Sequence, residues 1–208
     1  MAVLIMQRFF SNNVNIERTN YQGRIALKVA FTEAYQLNNG TVQGNAYVTV
    51  PRTNFYEGTI DVDIAAERNQ YADENSRAFA GVAFRTQPSK RDVTYDLVYL
   101  RMTNGLLNTP PPSGERAIRA IQYVSVPKWD FDTLRQNFPG KYEAGAKIAE
   151  KRWNHLRIQV KNNTVSTFID LDPKPVLEVP LLEANLRGPI RLWVGDSTTA
   201  YFSNLRVH

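Results

Sequence analysis

The feature that most constrains the fold is a two-residue alternation of apolar and polar side chains in short segments. In residues 59–65, Ile60, Val62 and Ile64 alternate with Asp61 and Asp63. Residues 24–31 and several later segments are also short and rich in strand-forming residues, and turn residues separate them. Alternation with a period of two is typical of strands that are buried on one face. Many such strands in sequence predict an all-β sandwich or barrel.

The sequence also predicts the number of domains. Its 208 residues are 43% hydrophobic, which is enough to fill a core, and they contain no internal repeat, low-complexity tract or linker. Sandwiches of this length commonly form one unit. We therefore expect residues 1–208 to form a single domain.

Three segments depart from the strand pattern. Residues 130–138 have helical spacing and predict one short helix, with Asp130 or Asp132 as its cap. The run of Asn and Gly at 38–40 predicts a turn, since these residues tolerate positive φ. Residues 103–115, with three consecutive prolines, predict a long loop.

Charge and composition exclude several classes of function. The net charge is +5 and the pI is about 9.4, but the basic residues are scattered, so no nucleic-acid partner is expected. The chain has no Cys, which excludes thiolate chemistry. No membrane span is expected, and residues 1–10 are not a convincing signal peptide. The compartment and the oligomeric state stay open at this point.

The order of several segments resembles one known family. These segments are GVAFR at 81–85, YDLVYLR at 95–101, IQYVSVPKW at 121–129, LRQNFPGKYEA at 134–144, RWNHLRIQV at 152–160 and LWVG at 192–195. The set resembles bacterial concanavalin A-like domains related to the 3-keto-disaccharide hydrolases. The resemblance implies a two-sheet antiparallel jelly roll, a saccharide ligand and an extracytoplasmic location. Met102, where the family has Pro, and residues 105–115 depart from its pattern.

Alternation along three of the predicted strands gives a candidate saccharide site. If these strands are neighbours, Arg85, Tyr99 and Arg101 line one surface beside Asp61 or Asp63. Aromatic rings stack on sugar rings, and charged side chains bind their hydroxyl groups. Further candidates are Gln122, Tyr123 and Trp129. Because Gln122 and Tyr123 are adjacent, only one of them faces a groove unless a bulge intervenes.

Each of these candidates also has a structural interpretation. The two arginines could instead form ion pairs with Asp61, Asp63 or Asp96, with the tyrosines packed in the core. Trp129 could pack against the short helix.

Asp61 and Asp63 are the candidate acid and base for hydrolysis, since glycosidases use paired carboxylates. They fit poorly to the Glu-x-Asp-x-Glu run of laminarinase-type families, because Thr59 occupies its first position. An arginine-paired surface is the alternative. We expect no cofactor and no transition-metal site, since the chain has two His and no Cys. Calcium could bind Asp196, or Asp170 and Asp172, although turn residues are the simpler interpretation.

Three functions follow from these observations. The first is a glycoside hydrolase of the 3-keto-glycoside kind that binds a saccharide on the concave sheet. The second is a non-catalytic carbohydrate-binding module or lectin-like domain, which the weak acid–base pair favours. The third is a protein-interaction sandwich, which predicts an exposed apolar patch.

Overall fold

The computed structural model describes residues 9–39, 45–88 and 93–208. These residues form two antiparallel sheets of seven strands each. The front sheet has the order β1 (Phe10–Asn12), β4 (Tyr47–Thr49), β13 (Arg191–Val194), β6 (Phe79–Pro88), β7 (Val93–Arg101), β8 (Ile121–Val126) and β9 (Glu143–Ala144). The back sheet has the order β12 (Leu177–Pro180), β11 (Thr164–Ile169), β10 (Asn154–Lys161), β5 (Gly58–Arg68), β14 (Thr198–Val207), β3 (Arg24–Phe31) and β2 (Val14–Tyr21). The predicted antiparallel β-sandwich is confirmed.

The core lies between the two sheets. Ile60, Val62 and Ile64 on β5 are fully buried, as are Val82 on β6 and Val98 on β7. All of them belong to one cluster of apolar side chains that draws on both sheets. The side chains that alternate with this set point away from the core, and we call that side of the front sheet its outer face. That residues 1–208 form one domain stays a prediction.

Two α-helices are present among the described residues, where the sequence predicted one. The predicted helix is confirmed as α2 (Phe131–Asn137), and its cap is Asp130, whose Oδ1 accepts a hydrogen bond of 2.8 Å from the Thr133 amide. The second helix, α1 (Glu33–Asn39), replaces the turn predicted at residues 38–40. That prediction is wrong for residues 38 and 39, and residue 40 lies outside the described residues.

Tertiary contacts explain α1. The ring of its Tyr35 packs edge-on against Phe31, with 5.0 Å between ring centroids. The buried side chain of Gln36 accepts a hydrogen bond of 2.9 Å from the Ser197 amide. The ring contact is local, but the hydrogen bond to Ser197 joins the helix to a distant part of the chain. Together they outweigh the turn preference of two Asn residues.

The predicted loop at 103–115 contains parts of two 3-10 turns, Met102–Asn104 and Gly114–Ile118. No helix among the described residues is long and apolar enough to cross a membrane.

Candidate functional site

The sheet topology separates the predicted carboxylates from the predicted sugar-binding residues. Asp61 and Asp63 lie on β5 of the back sheet, which pairs with β10 and β14. Arg85 lies on β6 and Tyr99 on β7, and both strands belong to the front sheet. The prediction that these residues line one surface is therefore wrong. The chain changes sheets between β5 and β6, which a sequence does not reveal.

On the back sheet, Asp61 and Asp63 are bridged by a histidine. His155 Nδ1 lies 2.7 Å from Asp63 Oδ1, and His155 Nε2 lies 3.0 Å from Asp61 Oδ1. Arg157 Nε also lies 2.8 Å from Asp61, and Arg24 Nη1 lies 2.7 Å from Asp63. Both carboxylates are buried and fully partnered. The predicted arginine-paired alternative therefore matches their geometry, although the arginines differ from those expected.

These contacts set the pKa values of the cluster. Burial raises the pKa of both carboxyl groups, but hydrogen bonds from His155, and from Arg157 to Asp61, outweigh burial and leave both pKa values below the ordinary range. The hydrogen bond to Asp63 raises the pKa of His155. A general acid needs a raised carboxyl pKa, so the cluster has the electrostatics of a structural ion network.

Arg85 and Tyr123 lie inside the sandwich. The side chains of Arg85 and Asp96 have no exposed surface, and Arg85 Nε lies 3.1 Å from Asp96 Oδ2. Tyr123 donates a hydrogen bond of 2.8 Å to the same carboxylate. Burial raises the pKa of Asp96 to about 6. A ligand on the surface cannot reach this buried pair, so we do not place Arg85 or Tyr123 in the binding site.

Three other predicted residues come together on the outer face of the front sheet. Arg101 Nη2 donates a hydrogen bond of 2.9 Å to the Tyr99 hydroxyl and a second one to Gln122 Oε1. The Tyr99 hydroxyl donates to the same Gln122 oxygen at 3.0 Å. Gln122 lies directly opposite Tyr99 in the sheet, whereas the adjacent Tyr123 points to the core. The two neighbours therefore point to opposite sides of the sheet, as strand alternation requires.

Arg101 lines a cavity of about 470 Å³ at the end of the outer face where β6 begins and β7 ends. The two aromatic rings in its wall are those of Phe79 on β6 and Phe131 on α2. Its other lining residues are polar: Asn75, Arg77, Arg101, Asn104, Glu115, Arg116, Arg119 and Arg135. A concave site with a few aromatic rings and many hydrogen-bonding groups can hold a polar ligand.

Glu143, which is buried on β9, organises the arginines of this cavity. Arg135 forms a two-pronged ion pair with it, with Nε–Oε1 at 3.0 Å and Nη2–Oε2 at 2.8 Å. Arg119 Nε lies 3.2 Å from Glu143, and Arg101 Nη1 lies 3.7 Å from it. One carboxylate thus lies within ion-pair distance of three guanidinium groups at the edge of the sheet and holds that of Arg135 by hydrogen bonds.

Aromatic rings continue from the cavity along the outer face. Ring centroids are 6.1 Å apart for Phe79 and Tyr99 and 5.4 Å apart for Tyr99 and Trp193. Arg191, on the same face of β13 as Trp193, stacks on Tyr47 at 3.9 Å. Trp193 Nε1 and two guanidinium nitrogens of Arg191 are buried and have no hydrogen-bond partner among the described residues. Such unpartnered donors are uncommon in folded proteins.

Trp129 does not line the cavity. Its indole nitrogen donates a hydrogen bond of 2.9 Å to Glu183, and its half-buried ring packs against Phe138 with 6.1 Å between centroids. Its placement therefore matches the alternative in which it packs beside the short helix.

The calcium candidates are turn residues. Asp170 accepts hydrogen bonds from the His155 amide and from Arg152, and Asp172 accepts one from the Lys174 amide. Asp196 lies in the turn before β14. Among the described residues, no group of three or more His, Cys, Asp or Glu side chains is arranged to hold a metal ion.

Sequence reasoning missed most of the cavity. Arg77, Arg116, Arg119 and Arg135 come from loops, a 3-10 turn and a helix, where no strand alternation indicates which way a side chain points. The available signal was the departure of residues 105–115 from the family pattern, because Glu115 at the end of that segment lies in the cavity wall.

No family model matches the chain, and the search of curated proteins found no match. Solved structures do match. The carbohydrate-binding module CBM66 from Bacillus subtilis has a TM-score of 0.60 and 13% identity, covering 97% of this chain and 95% of that one. A Bacillus subtilis protein of unknown function with a galectin-like fold has a TM-score of 0.57 and 13% identity, covering 97% of this chain and 88% of that one. A Bacillus licheniformis β-glucanase has a TM-score of 0.55 and 9% identity, covering 96% of this chain and 91% of that one.

These likenesses show that the chain has the concanavalin A-like jelly-roll fold that the sequence predicted. The narrower resemblance to 3-keto-disaccharide hydrolases is not confirmed. At such low identity the comparisons concern the fold alone.

Proposed function

We propose that the protein is a carbohydrate-binding domain whose ligand occupies the cavity on the outer face of the front sheet. The observation that carries the proposal is the meeting of Phe79 and Phe131 with the guanidinium groups around Glu143 in one cavity of about 470 Å³. Sugars need both an apolar surface for the ring and fixed donors for the hydroxyl groups. The fold is shared with a carbohydrate-binding module, which is consistent with this proposal.

The hydrolase function implied by the family resemblance has weaker support. Hydrolysis of a glycosidic bond uses an acid and a second carboxylate on either side of that bond. At the cavity, Glu143 and Glu115 both form ion pairs with arginine, so neither carboxylate is free to act on a glycosidic bond. Asp61 and Asp63 lie on the other sheet. Binding without hydrolysis is therefore the function that we propose.

A protein-interaction role receives no support from this cavity, because eight of its ten lining residues are polar or charged. The expectations of no nucleic-acid partner and of an extracytoplasmic location stay predictions.

Binding and turnover of a panel of neutral and acidic oligosaccharides test the proposal. We expect at least one ligand to give measurable heat in titration calorimetry, and we expect Phe131→Ala to weaken that binding by removing a ring from the cavity wall. The matched control is Phe10→Ala, whose ring is 69% exposed and does not line the cavity. Release of reducing ends from the same samples would favour the hydrolase instead. No binding to any member of the panel would overturn the carbohydrate proposal.

A further inference from the structure

The cavity beside Glu143 is strongly basic. Five of its ten lining residues are arginines: Arg77, Arg101, Arg116, Arg119 and Arg135. The carboxylates paired with them are Glu115 in the wall and Glu143 beneath it. Five positive charges against two negative charges leave a net charge of +3 on this group. A neutral sugar needs no such excess of positive charge.

The arginines fall into two groups. Arg101, Arg119 and Arg135 all lie within ion-pair distance of Glu143. Arg77 and Arg116 have no carboxylate within that distance among the residues that the structure describes.

Both of these unpaired cations are held by neutral oxygens. Arg77 Nη1 donates hydrogen bonds of 2.6 Å to the Glu74 carbonyl and 3.1 Å to the Ser76 carbonyl. Arg116 Nε donates 3.0 Å to Asn104 Oδ1, and its Nη2 donates 3.1 Å to the Thr103 carbonyl. These bonds fix the direction of each guanidinium but do not replace an ion-pair partner.

The charges of these two arginines, which line the same cavity, interact unfavourably without a ligand. Burial lowers the pKa of Arg77, and the charge of Arg116 lowers it further, although the charge of Asp73 opposes this in part. Like charges held close together in a partly enclosed site repel each other, since water screens them less than on an open surface. An anion between the two guanidinium groups would remove this repulsion, and planar guanidinium groups match the oxygen spacing of carboxylate and sulfate.

We propose that the cavity selects an anionic saccharide, whose carboxylate or sulfate ester binds Arg77 and Arg116 while its ring packs on Phe79 or Phe131. This inference rests on the proposed function and narrows its ligand to acidic sugars. The anionic group supplies the ion-pair partner that these two arginines lack among the described residues, and the aromatic rings distinguish a saccharide from a free inorganic anion.

A matched pair of ligands isolates the charge. Titration calorimetry compares an oligogalacturonide with its methyl ester, which keeps the sugar backbone and removes the negative charge. A sulfated galactan oligosaccharide, its desulfated form and inorganic sulfate complete the set. We expect the acidic form of at least one pair to bind at least about tenfold more tightly than its neutral form, because it gains charge-assisted hydrogen bonds. Its affinity should fall as salt is added. The pair that responds identifies carboxylate or sulfate as the anionic group.

Variants locate the effect. Arg77→Gln and Arg116→Gln, made separately, should each weaken binding of the acidic ligand by roughly tenfold or more. Each keeps hydrogen-bond donors for the loop oxygens, and if one fails to fold the other still tests the site. Lys174→Gln removes the same charge from an exposed loop beside the back sheet, so it should leave the affinity unchanged.

The outcomes separate this inference from the proposed function. If the acidic and neutral forms bind equally and Phe131→Ala abolishes both, the preference for an anionic ligand is overturned but the carbohydrate site is kept. If inorganic sulfate binds as tightly as the sulfated sugar, the claim that the ligand is a saccharide is overturned. No binding by any sugar would overturn both proposals. A tenfold preference that neither arginine variant reduces would overturn the assignment of Arg77 and Arg116.

Discussion

Replacing Gly81 with alanine tests whether the close contact of β6 and β7 supports the candidate site. Gly81 lies opposite Tyr99 in the front sheet and opposite Trp193 on its other side. A Cβ atom at position 81 would lie 2.2 Å from the Val98 carbonyl oxygen and 2.6 Å from the Tyr99 Cα. The first distance is roughly 1 Å shorter than an ordinary C···O contact of about 3.3 Å. Backbone atoms cannot rotate away, so the two strands must move apart.

The expected cost follows from this geometry. Overpacking a dense interior costs about 1–3 kcal/mol, and a clash with the backbone belongs at the upper end of that range. For a chain of this size, a loss of about 3 kcal/mol lowers the melting temperature by roughly 6–12 °C. The movement would also displace Tyr99 and so the Arg101 guanidinium bonded to it, which should weaken ligand binding.

Urea unfolding followed by tryptophan fluorescence, together with thermal melting, measures the stability that Gly81→Ala loses. Gly23→Ala is the matched control, because Gly23 has a φ of +78° and a Cβ atom there would meet no distant part of the chain within 4 Å. That variant should lose only about 1 kcal/mol of unfolding free energy, which is the cost of placing alanine in a left-handed backbone conformation. If Gly81→Ala is as stable as Gly23→Ala, the contact does not constrain the sheet and the reasoning is refuted.

Three further predictions concern stability. His155→Gln should lower the melting temperature by a constant amount between pH 3.8 and pH 6.5, the ordinary pKa values of aspartate and histidine, because the imidazolium then bridges ionised Asp61 and Asp63. The difference in melting temperature between wild type and variant should shrink as the pH rises through the raised pKa of His155. It should also shrink as the pH falls through the lowered pKa values of the two carboxyl groups. A difference that does not change between about pH 3 and pH 9 would contradict this bridge. At pH 8, Asp96→Ala should lower the free energy of unfolding in urea by about 3–5 kcal/mol, since it leaves a buried arginine charge unpaired, and a loss below about 1 kcal/mol would count against that pair. Asp130→Ala should cost about 1 kcal/mol in the same assay through loss of the α2 cap, and no loss would show that the cap is dispensable.

Much of the fold could be predicted because strands leave a local signal. The alternation at Ile60, Val62 and Ile64 marks one buried face whatever the neighbouring strands are. The α2 helix was predictable for a similar reason, since its cap and its apolar spacing lie within a few residues. The α1 helix was not, because its hydrogen bond with Ser197 comes from a turn beside β14, far along the chain.

Of the residues that line the cavity, the sequence predicted only Arg101 as a site residue. Arg85, Tyr99 and Arg101 were expected on one surface, with either Gln122 or Tyr123 beside them. Strand pairing brings Tyr99, Arg101 and Gln122 together in one hydrogen-bond network, but Tyr99 and Gln122 do not line the cavity. Arg85 lies within a bulge, with a φ of +55° and a register shift between Phe84 and Gln87. It therefore turns to the core, where simple alternation had placed it on the outer face.

The sequence by itself determined an antiparallel sandwich, its main strands and one helix, because periodicity and capping act between residues that are close in the chain. Only the tertiary structure decided which sheet each strand joins, and hence that Asp61 and Asp63 lie apart from Arg101. It also decided that arginines from two loops, a 3-10 turn and a helix surround Glu143 and the cavity. Loop side chains have no fixed period, so their directions follow from long-range packing and ion pairing.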